Sequence, residues 1–173
     1  MLSSTWAKLA NGFLVLGLLC SMVLALDPFM GPAHALGGEA LATGAPGSCL
    51  PLSEEQVEGF FERWNGALGS GEPSQVAQLY AQGALLLPTL SAELRETPQA
   101  IRDYFASFLS RHPSGTVTHR RIQLGCNEAF DAGTYRFELH EPEASVEARY
   151  TFVYGPEDGE WRILHHHSSL QPG

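Results

Sequence analysis

Apolar residues recur at intervals of three and four positions in two stretches of the chain, and this is the period of one face of an α-helix. The first stretch follows Ser53, and Gln56 three positions later gives it the form of a capping box. The second follows Thr97 and Pro98, a capping residue and a proline in the first turn. With a short helix that begins at a further proline, the sequence predicts three helices, over residues 53–68, 73–81 and 97–113.

Elsewhere polar and apolar positions alternate, which is typical of strands with one buried face. Residues 83–91 form an extended run interrupted by Pro88. Four further runs are separated by Gly, Asp, Asn or Pro, over residues 115–130, 132–141, 145–156 and 159–170. Helices followed by a meander predict an α+β domain, a cone in which about three N-terminal helices pack against a curved antiparallel β-sheet. Ligands of such a domain bind between the sheet and the helices.

The first part of the chain has a different composition from the predicted domain. Lys8 precedes an apolar run, and Ala33-His34-Ala35 has the form of a cleavage site. We therefore predict a signal peptide over residues 1–35 and export of the protein; an uncleaved membrane anchor is the alternative. Residues 36–52 are small and Gly-rich, which indicates a flexible linker, and a single domain follows over residues 53–172.

The formal net charge of −9 and the presence of a single lysine, Lys8, limit the partners of the chain. Nucleic acids and anionic membranes are bound through basic patches, so we predict no nucleic-acid partner and no membrane association of the mature form. Lysine-based covalent catalysis is excluded for the mature form. Cys49 and Cys126 follow the predicted cleavage site. In an oxidising compartment they could pair, and they are also compatible with buried free thiols.

The last predicted strand carries the candidate chemistry, in the segment WRILHHHSSL. Alternate residues of a strand share a face. One set comprises Trp161, Ile163, His165, His167 and Ser169. Because this set holds the bulky apolar residues, we predict that it faces the helices, with His166 and Ser168 on the outside. Two histidines one residue apart can bind zinc if a third ligand comes from elsewhere. A metal-free polar pocket and structural core histidines are the alternatives.

Two other polar residues lie among apolar neighbours. Thr89 follows Pro88 at the end of a predicted buried strand, and Tyr104 lies on the apolar face of the third helix. A turn residue and a core aromatic are the ordinary interpretations. Together with His167 and Ser169, they could instead surround a small planar oxyanion. Proton abstraction in such a cone needs an internal carboxylate, and the acidic residues of this sequence look solvated.

The segments LLLPTLS, IRDYFASFL, ARYTFVY and WRILHHHSSLQP, taken together, resemble a known family. The chain resembles nuclear-transport-factor-2-like (NTF2-like, or cystatin-like) cones, in the branch related to the association domain of calcium/calmodulin-dependent protein kinase II. Within that branch, HHHSS followed by a proline is similar to the iota class of carbonic anhydrases. The resemblance extends from about Ser53 to Pro172.

This resemblance implies reversible hydration of carbon dioxide to bicarbonate. It implies Thr89, Tyr104, His167 and Ser169 as catalytic residues, and Thr89, Tyr104, His165 and Ser169 as substrate-binding residues. No cofactor is expected; the alternative is a divalent metal such as zinc or manganese at His165 and His167. A homodimer in the periplasm or thylakoid lumen is also expected. The alternative function is a non-catalytic secreted module for ligand binding or oligomerisation, of the kinase-association-domain type.

Overall fold

The computed structural model describes residues 48–89, 91–140 and 142–172. The predicted signal peptide and most of the predicted linker lie outside these residues. No helix within the described ranges is long and apolar enough to span a membrane. The elements are α1 (Glu54–Gly69), α2 (Pro73–Ala77), β1 (Tyr80–Leu87), α3 (Pro98–Leu109), β2 (Ser114–Leu124), β3 (Ala129–His140), β4 (Glu143–Glu157) and β5 (Glu160–Leu170).

The five strands form one sheet in the order β1-β5-β4-β3-β2. Strands β2 to β5 are an antiparallel meander, whereas β1 lies parallel to β5 at the edge. The predicted α+β class is confirmed, and the parallel edge strand is an addition to it. The run predicted over residues 115–130 ends as a strand at Leu124, because a turn follows in which Asn127 has a φ of 60°, and β3 begins at Ala129, earlier than predicted. That left-handed conformation suits asparagine better than most residues.

Helices α1 and α3 begin at the predicted capping residues. The Ser53 hydroxyl accepts from the Gln56 backbone N–H, and the Gln56 side chain accepts from the Ser53 N–H, which completes the capping box. Thr97 caps α3 through the backbone N–H of Ala100. Helix α2 ends after little more than one turn, and β1 begins at Tyr80, earlier than predicted, since Tyr80 is buried in the core.

The segment before α1 is attached to the turn between β2 and β3. Cys49 and Cys126 form a disulfide, which settles the question left open by the sequence. The backbone N–H of Leu50 donates to Asn127 Oδ1 at 2.7 Å, and Asn127 Nδ2 donates to the carbonyl of Ser48 at 3.3 Å. Residues 48–52, the end of the predicted linker, are therefore tied to the domain.

A β-bulge in β5 decides which of its side chains face the core. Ile163 pairs with Tyr154 and His165 pairs with Val153, so Leu164 is an extra residue between two regular pairs. The Leu164 side chain is 37% exposed. The extra residue reverses the inside–outside alternation for the rest of the strand.

The consequence is that the inward set predicted for the end of β5 is wrong. Beyond the bulge His166 is buried and Ser168 lines the space between the sheet and the helices, whereas His165, His167 and Ser169 lie on the outer face. Strict alternation from Ile163 assumes a regular strand, and the bulge removes that assumption.

Candidate functional site

A cavity of about 220 Å³ lies between the sheet and α3, and Trp64 of α1 forms part of its wall. Most of its wall is aromatic or aliphatic, and among the described residues no carboxylate lines it. The polar groups of the wall are a histidine, an arginine and several hydroxyls. The lining residues are Trp64, Leu86, Pro88, Thr89, Tyr104, Phe105, Ser107, Phe108, Arg111, Tyr135, Phe137, Leu139, Val146, Ala148, His166 and Ser168.

Thr89 reaches the cavity because the chain leaves β1 just before it. Leu86 is buried on the inner face of β1, and Pro88 ends the strand because it has no N–H to pair. The loop returns so that Leu86 and Arg95 exchange backbone hydrogen bonds of 2.9 and 3.0 Å. Thr89 is therefore fixed at the inner end of β1, in the cavity wall.

Tyr104 lies on α3 beside the stripe of residues that the helix buries. Ile101, Phe105 and Leu109 form that stripe, and Tyr104 borders it and stacks on Phe108 with ring centroids 5.8 Å apart. Burial raises the pKa of Tyr104 to about 12, against the opposing effect of two nearby arginines. The phenol is therefore protonated at neutral pH and can donate a hydrogen bond. The structure places Thr89 and Tyr104 in one cavity; their catalytic role stays a prediction.

Three hydroxyl groups from three different elements meet in the wall. The Tyr135 hydroxyl on β3 donates to Ser168 Oγ on β5, and Ser168 Oγ is in turn hydrogen-bonded to Thr89 Oγ1. Burial raises the pKa of Tyr135 well above its ordinary value. This cluster is formed by Ser168, not by Ser169, because of the bulge.

His166 is held by two hydrogen bonds in series that begin on α1. Trp64 Nε1–H donates to the Tyr80 hydroxyl at 3.1 Å, and that hydroxyl lies 2.8 Å from His166 Nδ1. The imidazole stacks on Phe152 with ring centroids 4.0 Å apart. His166 Nε2 is buried without a hydrogen-bond partner among the described residues. One ring nitrogen is thus engaged by the protein, and the other is left for a ligand.

Burial keeps this histidine uncharged. It lowers the pKa of His166 from 6.5 to about 3, with smaller contributions from His165 and His167. No carboxylate of the described cavity wall is present to stabilise an imidazolium. At neutral pH the group is therefore a neutral imidazole, and it is a poor proton acceptor.

The outer face of β5 holds the residues that the sequence placed inside. His167 and Ser169 border a shallow depression with Arg149 and Thr151. Within the described residues, no group of three His, Cys, Asp or Glu side chains could hold a metal ion. Among the described residues His165 and His167 have no third protein ligand of the kind that a zinc site needs, and the Arg149 guanidinium, which borders the same depression as His167, disfavours a cation.

Strand β3 supplies the internal carboxylate that the sequence analysis did not find. Asp131 is 0% exposed; its Oδ1 lies 3.2 Å from Arg120 Nε and accepts from the Tyr150 hydroxyl at 2.9 Å. Burial raises the pKa of Asp131, although Tyr150 and Arg120 oppose the shift. Asp131 does not line the cavity, so the ion pair belongs to the core. The sequence held one indication of this burial: Asp131 and Tyr135 are an even number of residues apart, so they share a face of β3.

The residues of the site that the sequence did not identify differ in how visible they were. Trp64 was visible only as an apolar-face aromatic of the first helix, and Tyr80 lay within the predicted helix 73–81, because the hydrogen bonds of both join distant elements. Arg111 lies just beyond the end of α3 and follows Tyr104 and Phe108 at intervals of four and three positions, so its place at the cavity follows from extending that row of residues. His166 and Ser168 depend on the bulge.

Comparison with known proteins identifies relatives over almost the whole described domain. Residues 53–172 match the family model of the calcium/calmodulin dependent protein kinase II association domain. A solved structure from Xanthomonas campestris, assigned to the same association domain, shares 41% sequence identity and a TM-score of 0.67, and the match covers 72% of this chain and 95% of that one. No protein of curated function matches the sequence.

More distant structures share the fold alone. An NTF2-like protein from Streptomyces avermitilis, proposed to be a dehydratase, is 14% identical with a TM-score of 0.62, over 69% of this chain and 96% of that one. A protein of unknown function from Nostoc punctiforme with a cystatin-like fold is 14% identical with a TM-score of 0.61, over 73% and 96%. The fold of this chain is therefore NTF2-like.

Proposed function

Because this chain belongs to the calcium/calmodulin dependent protein kinase II association domain family, we propose that it is a ligand-binding module of that type. Its cavity holds a small ligand that has a carboxylate or similar oxyanion head and an apolar body. The observation that carries this proposal is the cavity wall, in which hydrogen-bond donors occur without any carboxylate among the described residues.

The donors supply the anionic end of the site. Tyr104 keeps its proton at neutral pH, and His166 has a buried ring nitrogen without a partner among the described residues. Arg111 lines the cavity, and within the described ranges its buried Nε has no hydrogen-bond partner and no carboxylate forms an ion pair with it. An unsatisfied buried donor costs about 1–3 kcal/mol, so a ligand oxygen that pairs with one recovers that energy.

The size and the apolar wall favour a ligand larger than bicarbonate. An engineered protein cavity of about 150 Å³ is known to hold benzene. The present cavity, at about 220 Å³, can hold a ring together with a carboxylate. Bicarbonate has four heavy atoms and no apolar surface, so it would leave the aromatic wall formed by Phe105, Phe108 and Phe137 without contacts.

Calorimetric titration of the purified protein with benzoate, acetate and bicarbonate tests this proposal. We expect benzoate to bind more tightly than acetate, because its ring buries apolar surface worth about 25 cal/mol per Å², and bicarbonate to bind most weakly. Arg111→Gln should weaken benzoate binding about tenfold. Arg102→Gln, an exposed change on α3 outside the cavity, is the matched control. Absence of benzoate binding, or equal affinity for benzyl alcohol, would contradict an anion site.

Reversible hydration of carbon dioxide is a second candidate function for the same cavity, and it follows from the resemblance of the HHHSS segment. One observation favours it: the hydroxyls of Thr89, Tyr135 and Ser168 are joined by hydrogen bonds at the cavity wall. Such a cluster could orient a water and stabilise charge on bicarbonate oxygens. For carbon dioxide hydration, the proposed site residues are Thr89, Tyr104, His166 and Ser168.

Hydration of carbon dioxide releases a proton, and the cavity wall offers no suitable group to accept it, so hydration is not the leading proposal. The expected relay by His167 fails geometrically, since His167 is on the outer face of the sheet. His166, with a pKa of about 3, and Tyr104, with a pKa of about 12, are both far from the range that a base working at pH 7 needs. Any proton would have to leave through solvent or a group outside the described wall.

Stopped-flow measurement of carbon dioxide hydration decides this second candidate. If the cavity is catalytic, Ser168→Ala and Thr89→Ala should each lower the rate at least tenfold, whereas Ser169→Ala should leave it unchanged. The measurement is repeated with chelator and with added zinc or manganese, which tests the expectation of a metal-free site. No rate above buffer under any of these conditions would eliminate the anhydrase function and leave the binding module.

The compartment and the oligomeric state are further proposals. Disulfides persist in oxidising compartments, so the Cys49–Cys126 bond supports export to the periplasm or thylakoid lumen.

The outer face of the sheet carries Phe130 at 40% exposure, with Val153 beside it on β4. We propose that this face forms a homodimer, and light scattering of the purified protein, with Phe130→Glu as the disrupting variant, tests it.

A further inference from the structure

The environment of His166 determines which of its two nitrogens carries the proton. Trp64 Nε1 is a donor only, so the Tyr80 oxygen must accept from it. The Tyr80 hydroxyl keeps its own proton, because burial raises the pKa of Tyr80 well above its ordinary value. Among the hydrogen bonds of the described residues, the only acceptor for that proton is His166 Nδ1, at 2.8 Å.

We propose that Tyr80, itself oriented by Trp64, is a positioning residue that fixes His166 as the tautomer with its proton on Nε2. This histidine then presents a permanent hydrogen-bond donor at the cavity wall. This donor gives the proposed oxyanion site its selectivity. That role rests on the proposed function, whereas the tautomer itself does not.

The opposite tautomer, with the proton on Nδ1, is disfavoured because it leaves one buried proton without an acceptor. If Nδ1 carried the proton, the Tyr80 oxygen would accept from both Trp64 and His166, and its own proton would have no acceptor among the described residues. A buried donor without a partner costs about 1–3 kcal/mol. His166 Nε2 would then be a bare acceptor, which repels an oxyanion.

Protonation of His166 would place a second proton on Nδ1, where it would meet the proton of the Tyr80 hydroxyl, and the surroundings oppose it. The titratable groups near the imidazole are Tyr80 on β1, His165 and His167 on β5, and, across the cavity, Tyr104, Tyr135 and Arg111. None of these described groups is an anion at neutral pH. The Phe152 ring covers one face of the imidazole and keeps water away. The neutral Nε2–H tautomer should therefore persist from about pH 8 to pH 5.

The experiment is a long-range proton–nitrogen NMR correlation on the ¹⁵N-labelled protein, with the His166 signals assigned by their absence in His166→Gln. Nitrogen shifts distinguish a protonated from an unprotonated ring nitrogen, so the tautomer is read directly. We expect a protonated Nε2 and an unprotonated Nδ1 in the native protein. A proton on Nδ1 there would overturn the proposal, whatever the variants do.

Tyr80→Phe is the decisive variant, since it keeps the ring and removes the donor to Nδ1. We expect the two nitrogen shifts to move towards a mixture of tautomers and the benzoate dissociation constant to rise about tenfold. Tyr154→Phe removes another buried hydroxyl that does not line the cavity, and it should change neither readout. Unchanged nitrogen shifts in Tyr80→Phe would also overturn the proposal.

The two readouts separate failure of this inference from failure of the proposed function. A native protein with the Nε2–H tautomer and no affinity for benzoate, acetate or bicarbonate would keep the positioning role and refute the oxyanion site. A native protein that binds benzoate but carries the proton on Nδ1 would support the oxyanion site and refute the positioning role of Tyr80. Trp64→Phe should shift the tautomer less than Tyr80→Phe, because Tyr80 can still donate to Nδ1.

Discussion

His166 and His167 are neighbours in the sequence and lie on opposite faces of β5. His166 is 4% exposed, is bonded to Tyr80 and has a pKa of about 3. His167 is exposed and borders a shallow depression with Arg149. The serines that follow them repeat the contrast, since Ser168 joins the hydroxyl cluster and Ser169 lies outside.

Residue type alone therefore does not define the chemistry of this strand. The same imidazole is a neutral, oriented donor on the inner face and an accessible surface group on the outer face. Burial imposes the first state, because a charged imidazole loses its hydration in the core. Changing each member of the pair separately tests whether this contrast is real.

The largest expected effect is on stability. His166→Ala removes a ring that stacks on Phe152 and leaves the Tyr80 hydroxyl without its acceptor, so we expect the free energy of unfolding to fall by about 3 kcal/mol. His167→Ala should change it by less than about 0.5 kcal/mol. Urea denaturation measures both. Equal losses in the two variants would mean that the faces of β5 are not assigned correctly.

The next effect is on the pH dependence of stability. His166 has a pKa of about 3 in the folded chain, below its ordinary 6.5. Between these values the unfolded chain binds a proton that the folded chain does not, so stability is highest above pH 6.5 and is lost as the pH falls towards 3. We expect a loss of about 2 kcal/mol between about pH 8 and pH 5.

This loss is measured as a difference between the native protein and His166→Gln, because other groups titrate in both. Chemical denaturation at several pH values gives the two curves. His167→Gln is the matched control and should keep the native dependence. A difference curve that is flat down to pH 5 would show that His166 titrates normally in the fold.

A smaller effect is expected for the serine pair. Ser168→Ala deprives the Thr89 and Tyr135 hydroxyls of their shared partner, which should lower the free energy of unfolding by about 1–2 kcal/mol. Ser169→Ala should be neutral within about 0.5 kcal/mol. Thermal denaturation of the two variants checks this. Greater destabilisation by Ser169→Ala would reverse the assignment of the two faces.

The smallest effect is expected from metal removal. His165 and His167 have no third protein ligand among the described residues, so chelation should leave the melting temperature unchanged within about 1 °C. A scan with and without chelator, on protein first incubated with zinc, measures the change. A large decrease would indicate a metal site completed by a group outside the described residues or by a second chain.

The sequence predicted the helices and their caps because those signals are local. Ser53 with Gln56, and Thr97 with Pro98, act within one helical turn, and the apolar stripes of α1 and α3 repeat at a fixed period. The cavity positions of Thr89 and Tyr104 followed from a strand end and a helix stripe. The inward face of β5 was not predictable in this way, since Ile163 and Leu164 are both apolar and either could continue the buried set.

The α+β class, the order of the helices and the meander, and the presence of imidazole and hydroxyl groups at the end of the last strand can all be predicted from the sequence alone. Which of those groups face the cavity depends on how the strands pair. β5 pairs with β4 in a register that leaves Leu164 without an opposite residue, and this turns His166 and Ser168 inwards. A bulge depends on how two distant segments pair, and the alternation of polar and apolar residues along one strand carries no information about that pairing.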